Sequence, residues 1–204
     1  MATHDLYDRL ESRAPAARES ALLRDLAHVL SVSRSRMPAL RVQLKGIDLA
    51  ALRTRADLQA IPLRRHADLL AAQRTEPAFG GYAATRMAAL QNVFLGPGGL
   101  FAPAGHAKDW WGFARAMQAA GLRKGTLVLN TLPYDLVPFG HMVESGARAL
   151  GCPVIPAGNA GLDLVVATAE RLAPRFFCGT AEQLKGFLDA HEGGQETKIG
   201  RAHV

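Results

Sequence analysis

His141, Glu144 and Ser145 stand three and four residues apart in a stretch with helical patterning, so their side chains would share one face. Such a trio could move protons, although one His and one Glu on a helix ordinarily form a plain polar pair. Nucleophilic hydrolysis is not indicated: the residue two before Ser145 is Val143, so no G-x-S-x-G elbow exists. Metal catalysis is not indicated either, since there is no H-E-x-x-H and no Cys/His cluster. Tyr134 and Asp135, in the loop just before the helix, complete the polar set that a pocket here would use. A second feature is Gly96-Pro97-Gly98-Gly99. A strand, a glycine-rich turn and a return strand can wrap backbone N–H groups around phosphates. The same residues also make a tight hairpin in which glycine supplies positive φ. Because the stretch fits neither the P-loop pattern nor the dinucleotide fingerprint, spacing alone favours the hairpin.

The elements that must hold these residues follow from patterning. Residues 126–132 are an apolar run, 133–138 a turn-rich loop, 139–150 a helical stretch and 153–156 a second apolar run. That is a βαβ unit, whose parallel strands are buried on both faces and so do not alternate. The loop after the first strand lies at a carboxyl end, where ligands bind in open α/β sheets. A helix at 161–173, a strand at 175–178 and a helix from Gly179-Thr180 to about residue 190 continue the alternation. This predicts a parallel sheet covered on both faces. Residues 1–75 read as helices: 20–35 with a stripe of Leu22, Leu23, Leu26, Val29 and Leu30, a short one after Thr54 and Asp57, and one at 65–72. Arg64, Arg65 and His66 read as a solvated helix start rather than a phosphate site. Residues 75–90 are a loose connection containing Gly80-Gly81. Residues 108–120 form an amphipathic helix with Trp110, Phe113, Ala114 and Met117 on its core face, ended by Gly121.

The chain has 204 residues, 49% hydrophobic and 21% charged, which is ordinary globular composition and excludes disordered and fibrous classes. Its net charge of +6 comes from scattered arginines, not from a basic run interleaved with aromatics, so nucleic-acid binding is not expected. Cys152 and Cys178 form no framework and no metal-ligand spacing; they read as buried thiols in a reducing cytoplasm. The polar N-terminus is not a signal peptide, and no apolar run approaches membrane-spanning length. The expectation is a soluble cytoplasmic protein without a membrane partner.

The order of three stretches resembles the phenylacetate–coenzyme A ligases, within the larger class of adenylate-forming, AMP-dependent synthetases and ligases. They are SRSRMPALRVQLKGIDLAALRTRADLQAIPLRRHADLL, GLRKGTLVLNTLPYDLVPFGHMVESGARALGCPVIPAGN and LAPRFFCGTAEQL. The first resembles the family's helical lead-in, with a proline followed by basic residues at 61–65. The second resembles the strand, loop and helix that help form the acyl pocket. The third resembles the strand and Thr-containing turn beneath the adenylate. The resemblance spans residues 30–190. It implies a helical N-terminal layer (1–75), then a largely parallel sheet with helices on both faces (76–191), as the incomplete N-terminal domain of an adenylate-forming enzyme, and then a polar tail (192–204). It also implies a two-step chemistry. A carboxylate attacks the α-phosphate of ATP, giving an acyl-adenylate and pyrophosphate; the thiol of coenzyme A then displaces AMP. ATP, Mg²⁺ and coenzyme A are the implied cofactors, and a homodimer is common in the family. By the same resemblance Tyr134, Gly140 and His141 lie near the acyl pocket, Gly96, Gly98 and Gly99 are a remnant phosphate loop, and Thr180 lies near the nucleotide.

Two departures qualify the expectation. The family's hydroxyl-rich phosphate loop ends in Lys-Pro, whereas residues 95–103 read LGPGGLFAP, with no hydroxyl, no lysine and a proline that removes an N–H. Counterparts of the family's ribose-binding segments, hinge and lysine-bearing C-terminal domain are also missing, so this chain alone is not expected to complete the reaction. Residues 199–204, IGRAHV, back-translate readily to the start of a common sequencing adapter, and residues from 198 on are expected to be non-biological. Two readings stay open: part of an AMP-forming acyl- or aryl-coenzyme A ligase, or a non-catalytic relative that binds an acyl or nucleotide ligand or a protein partner.

Overall fold

The computed structural model describes residues 6–76 and 78–192; the adapter-like residues at 198–204 lie outside the described residues. The described residues divide into two compact units, one within Asp8–Gly105 and the other of Leu6 and Tyr7 with His106–Glu192.

In the first unit, α1 (Pro15–Arg36) carries proline at its start, where a missing N–H costs nothing. It ends at Met37, whose extended backbone precedes Pro38. A further short helix, α2 (Pro38–Gln43), begins at that proline. Leu44, Leu49 and Leu52 form the core here, with Ala27, Leu30, Leu40, Ile47 and Ile61 packed around them. The face of α1 that turns inward therefore carries Leu23, Ala27 and Leu30, whereas Leu22 and Val29 of the expected stripe are exposed. The expected helix after Thr54 is a 3-10 turn, Ala56–Ala60; the Asp57 carboxylate accepts from the N–H groups of Arg53 and Thr54 at 2.9 and 2.7 Å. Then α3 (His66–Thr75) leads to an antiparallel hairpin, β1 (Asn92–Leu95) with β2 (Phe101–Ala104). Gln73 of α3 behaves as an extra strand residue. Its Nε2 donates to the Phe101 carbonyl and its Oε1 accepts from the Phe101 N–H, both at 2.8 Å.

The second unit holds the parallel sheet. Its strands are β3 (Val128–Asn130), β4 (Val154–Pro156) and β5 (Phe176–Cys178), in the order β4-β3-β5. Central β3 is buried along its whole length, which is why its sequence does not alternate. One face packs Val128 and Phe176 against Val143 and Ala147 of α5 (Phe139–Ala149) and Met117 of α4 (Phe113–Ala119). The other packs Leu129 and Phe177 against Val165 and Ala169 of α6 (Leu162–Leu172) and Phe187 of α7 (Ala181–Glu192). The sheet is therefore covered on both sides, as expected. Among the described residues no helix is long and apolar enough to cross a membrane.

The helix expected at 108–120 begins only at Phe113. Gly112 sits in the left-handed region at φ 70°, and the Asp109 carboxylate accepts from the N–H groups of Phe113 and Ala114, each at 2.9 Å. Trp110 thus falls in the turn before the helix and is 44% exposed, while Ala114 and Met117 reach the core. Because Asp109 satisfies two otherwise orphaned donors, Asp109→Ala should lower stability by about 1–2 kcal/mol in urea unfolding.

Candidate functional site at the carboxyl edge of β3

The chain leaves β3 through Asn130, a side chain with no exposed surface at all. A buried primary amide must place two donors and an acceptor. Its Nδ2 donates to the Tyr134 hydroxyl at 2.8 Å and to the Gly140 carbonyl at 2.9 Å; its Oδ1 accepts from the Leu132 N–H at 3.2 Å. One side chain thereby joins the strand, the loop and the first turn of α5. The Asn130 carbonyl also accepts from Gly158 N–H, past the end of β4, at 3.1 Å.

Tyr134 lies in the space this creates. A Cβ on Gly140 would stand 2.6 Å from its ring, and one on Gly158 would stand 3.4 Å away, so glycine at 140 is a packing requirement. The His141 ring meets Tyr134 edge-on with centroids 5.1 Å apart, and His141 Nε2 donates to the Tyr134 carbonyl at 3.2 Å. Burial first, and then the charge of Glu144, hold the Tyr134 phenol well above its ordinary value of 10.0, against the opposing hydrogen bond from Asn130. Asp135 is engaged elsewhere, accepting from Asn159 Nδ2 at 2.8 Å. Tyr134, Gly140, His141 and Glu144 are thus brought together. Ser145 points back to its own helix, donating to the Met142 carbonyl at 2.9 Å.

Thr180 sits beside the same strand end but in a different network. It precedes α7, where its N–H donates to Gln183 Oε1 at 2.8 Å and its Oγ1 accepts from Gln183 N–H at 3.2 Å, a reciprocal capping box. Gln183 Nε2 in turn donates to the Thr131 carbonyl at 2.9 Å. The Thr131 hydroxyl donates to the Cys178 carbonyl at 3.1 Å, and a Cβ on Gly179 would stand 2.2 Å from that hydroxyl oxygen. The Cys178 thiol is pushed up to about 12 by burial. Asn130, Thr131 and Gln183 did not stand out in the sequence. Gln183 alone left a trace there, as the last residue of the Thr180-x-x-Gln pattern.

The glycine-rich turn belongs to the first unit. Gly96 N–H donates to the Leu100 carbonyl at 2.7 Å and Gly99 N–H to the Gly96 carbonyl at 3.1 Å, so two of its donors are used internally. Gly98 adopts φ 73° in this tight turn. His66 is not merely solvated: its Nε2 donates to the Pro97 carbonyl at 3.1 Å, and a Cβ on Gly98 would stand 2.9 Å from its ring. Among the described residues no group of three or more His, Cys, Asp or Glu side chains could hold a metal ion.

No protein-family model matches the sequence, and no curated protein matches it. Solved structures do match. A 2-hydroxyisobutyryl-CoA ligase in complex with 2-HIB-AMP and CoA, in the thioesterification state, superposes with a TM-score of 0.81 and 22% identity. The match covers 91% of this chain and 42% of that one. The same ligase in the postadenylation state with 2-HIB-AMP gives 0.82 and 22%, over 93% of this chain and 43% of that one.

Two outcomes follow from the Asn130 network. Asn130→Ala strands the Leu132 N–H and removes a partner of Tyr134, while the Gly140 carbonyl keeps its bond within α5, so it should cost about 2 kcal/mol in urea unfolding. Because folding raises the Tyr134 pKa, its contribution to stability is fully present below pH 10.0, the unfolded value, and is lost as pH rises above it. Tyr134→Phe should therefore flatten the alkaline limb of the stability curve. At these levels of identity the likeness is one of architecture, and the chain has the fold of the N-terminal portion of an adenylate-forming enzyme, spanning less than half the length of the ligases it matches.

Proposed function

We propose that this chain is the N-terminal portion of an AMP-forming acyl- or aryl-coenzyme A ligase of the phenylacetate–coenzyme A ligase kind. The whole protein would activate a carboxylate as its acyl-adenylate and pass the acyl group to coenzyme A. The observation that carries this reading is the superposition over 91% of the chain on a ligase crystallised with 2-HIB-AMP and CoA. The carboxyl edge of β3 adds to it. Tyr134, Gly140 and His141 would wall the acyl pocket, with Asn130 fixing the loop that carries them. Thr180 would lie by the nucleotide. Such chemistry asks little acid–base work of the protein and much positioning, which agrees with a site made of hydrogen-bonded loops rather than a catalytic triad. Cytoplasmic location and dimerisation belong to the same proposal.

ATP fits this chain's own residues poorly. The turn at Gly96, Gly98 and Gly99 offers no hydroxyl and no lysine, Pro97 lacks an N–H, and the N–H groups of Gly96 and Gly99 are committed within the turn. That observation favours the second reading, a non-catalytic relative that keeps the fold and binds an acyl or nucleotide ligand or a partner. No step through ATP, Mg²⁺ or coenzyme A is assigned to these residues.

Pyrophosphate exchange separates the two. The full-length protein, recovered from its source DNA, should exchange labelled pyrophosphate into ATP when given an aromatic or short aliphatic carboxylate. Tyr134→Ala should then raise KM for the acid more than it lowers kcat. Absence of exchange across a broad acid panel would remove the ligase reading and leave the binding one.

A further inference from the structure

A cavity of about 320 Å³ opens between α6 and α7 at the carboxyl edge of β3. Its apolar part lies on the face of the sheet opposite α5, and it borders the Tyr134 loop only through Thr131 and Gly158. Its volume is at the lower end of the range for small-molecule sites. Leu162, Val165 and Phe187 supply an apolar floor. Phe187 is held in place: its ring packs on Phe177 with centroids 6.1 Å apart and stacks on His191 at 6.0 Å. Thr131 and Gln183 stand at the inner end, their orientation fixed by the hydrogen bonds between them.

Gly186 is the informative residue. It lies mid-helix in α7, where glycine is less favourable than alanine by roughly 0.5–1 kcal/mol. Nothing in the packing demands it, because a Cβ there would meet only Leu162 Cδ2, at 4.0 Å. What the glycine does is leave the cavity unfilled. Its neighbour one turn earlier on the same face is Glu182, which also lines the cavity. Among the described residues the solvent-exposed Glu182 side chain has no ion pair or hydrogen bond, while Lys185 close by pairs with Asp189. The position of Glu182 in the first turn of α7 suits the helix dipole, but the dipole does not require an apolar cavity beside it.

We infer that this cavity binds a small molecule with an apolar, ring-sized body and a protonated amine. The body lies against Leu162, Val165 and Phe187 in the space left by Gly186, and the ammonium group meets Glu182. The Glu182 carboxylate selects against carboxylates, so the ligand differs in charge from the acid of the proposed ligase, and the inference does not rest on that reading.

Calorimetric titration of the full chain with 2-phenylethylamine, and with phenylacetate as the charge-reversed control, tests this. The amine should bind saturably, one per chain, and phenylacetate should not displace it. Glu182→Gln should weaken amine binding by about tenfold, the scale of one charge-assisted hydrogen bond. Gly186→Leu should abolish it. Gly186→Ala should raise the melting temperature while lowering affinity, opposite signs that a purely structural glycine would not give, and it keeps the test decisive should the leucine variant fail to fold. No saturable amine binding, or binding that Glu182→Gln leaves unchanged, would overturn the inference. So would self-association that Gly186→Leu disrupts without any amine binding, since the face would then belong to a second copy of the chain. Failure of pyrophosphate exchange has no bearing on any of these readouts.

Discussion

A buried amide that cannot reach water has to find every partner inside the protein, and Asn130 meets that constraint in a way that organises its surroundings. Its three hydrogen bonds lead to a loop, a helix and the next residue but one of its own chain. None of the three could be moved by an ångström without stranding a polar group in the core. The loop of residues 131–138 is therefore not a free connection. Its path is dictated by the end of β3, and Tyr134 is placed by the same amide that places Gly140. Gly140 then becomes intelligible as a clearance for the ring, while Gly158 on its other side supplies a left-handed backbone at φ 53°.

The opposite side of the strand end works on the same principle with different parts. Gln183 caps its own helix and at the same time reaches the backbone at Thr131, the residue after β3. A helix start and the chain just past a strand end are thus fastened together by one side chain, and the α6–α7 cavity beside them keeps a fixed inner end. Polar residues at this edge serve to register elements.

Much of this fold was legible in the sequence because the parallel sheet is buried on both faces. Runs such as Val128-Leu129-Asn130 and Phe176-Phe177-Cys178 have no alternation to confuse them, and helices separate them at regular intervals. What escaped was set by tertiary contact. Trp110 carries the right spacing for a core face, yet Gly112 and Asp109 start the helix one turn later. Leu22 and Val29 belong to a stripe wider than the face that packs. At the site, Tyr134 and His141 were visible as residue types, whereas Asn130 and Thr131 look like unremarkable strand-end residues until their partners, distant in sequence, are in place. The spacing of the glycine-rich turn favoured a tight hairpin, while the family resemblance made it a remnant phosphate loop; its geometry is a hairpin that spends two N–H groups on closing the turn itself.

Gln73 and Phe101 hold each other by a pair of hydrogen bonds indistinguishable in pattern from those between two strands. A side-chain amide can do this only while it has both an oxygen and an NH₂ group. Deamidation, a slow covalent change that many proteins undergo as they age, would convert Gln73 to glutamate. The acceptor would survive, but the donor would be replaced by a second carboxylate oxygen facing the Phe101 carbonyl. The hairpin would then lose one of its bonds to α3 through a mass change of a single unit, keeping the one from His66, so the age of a preparation is written into this contact as well as its sequence.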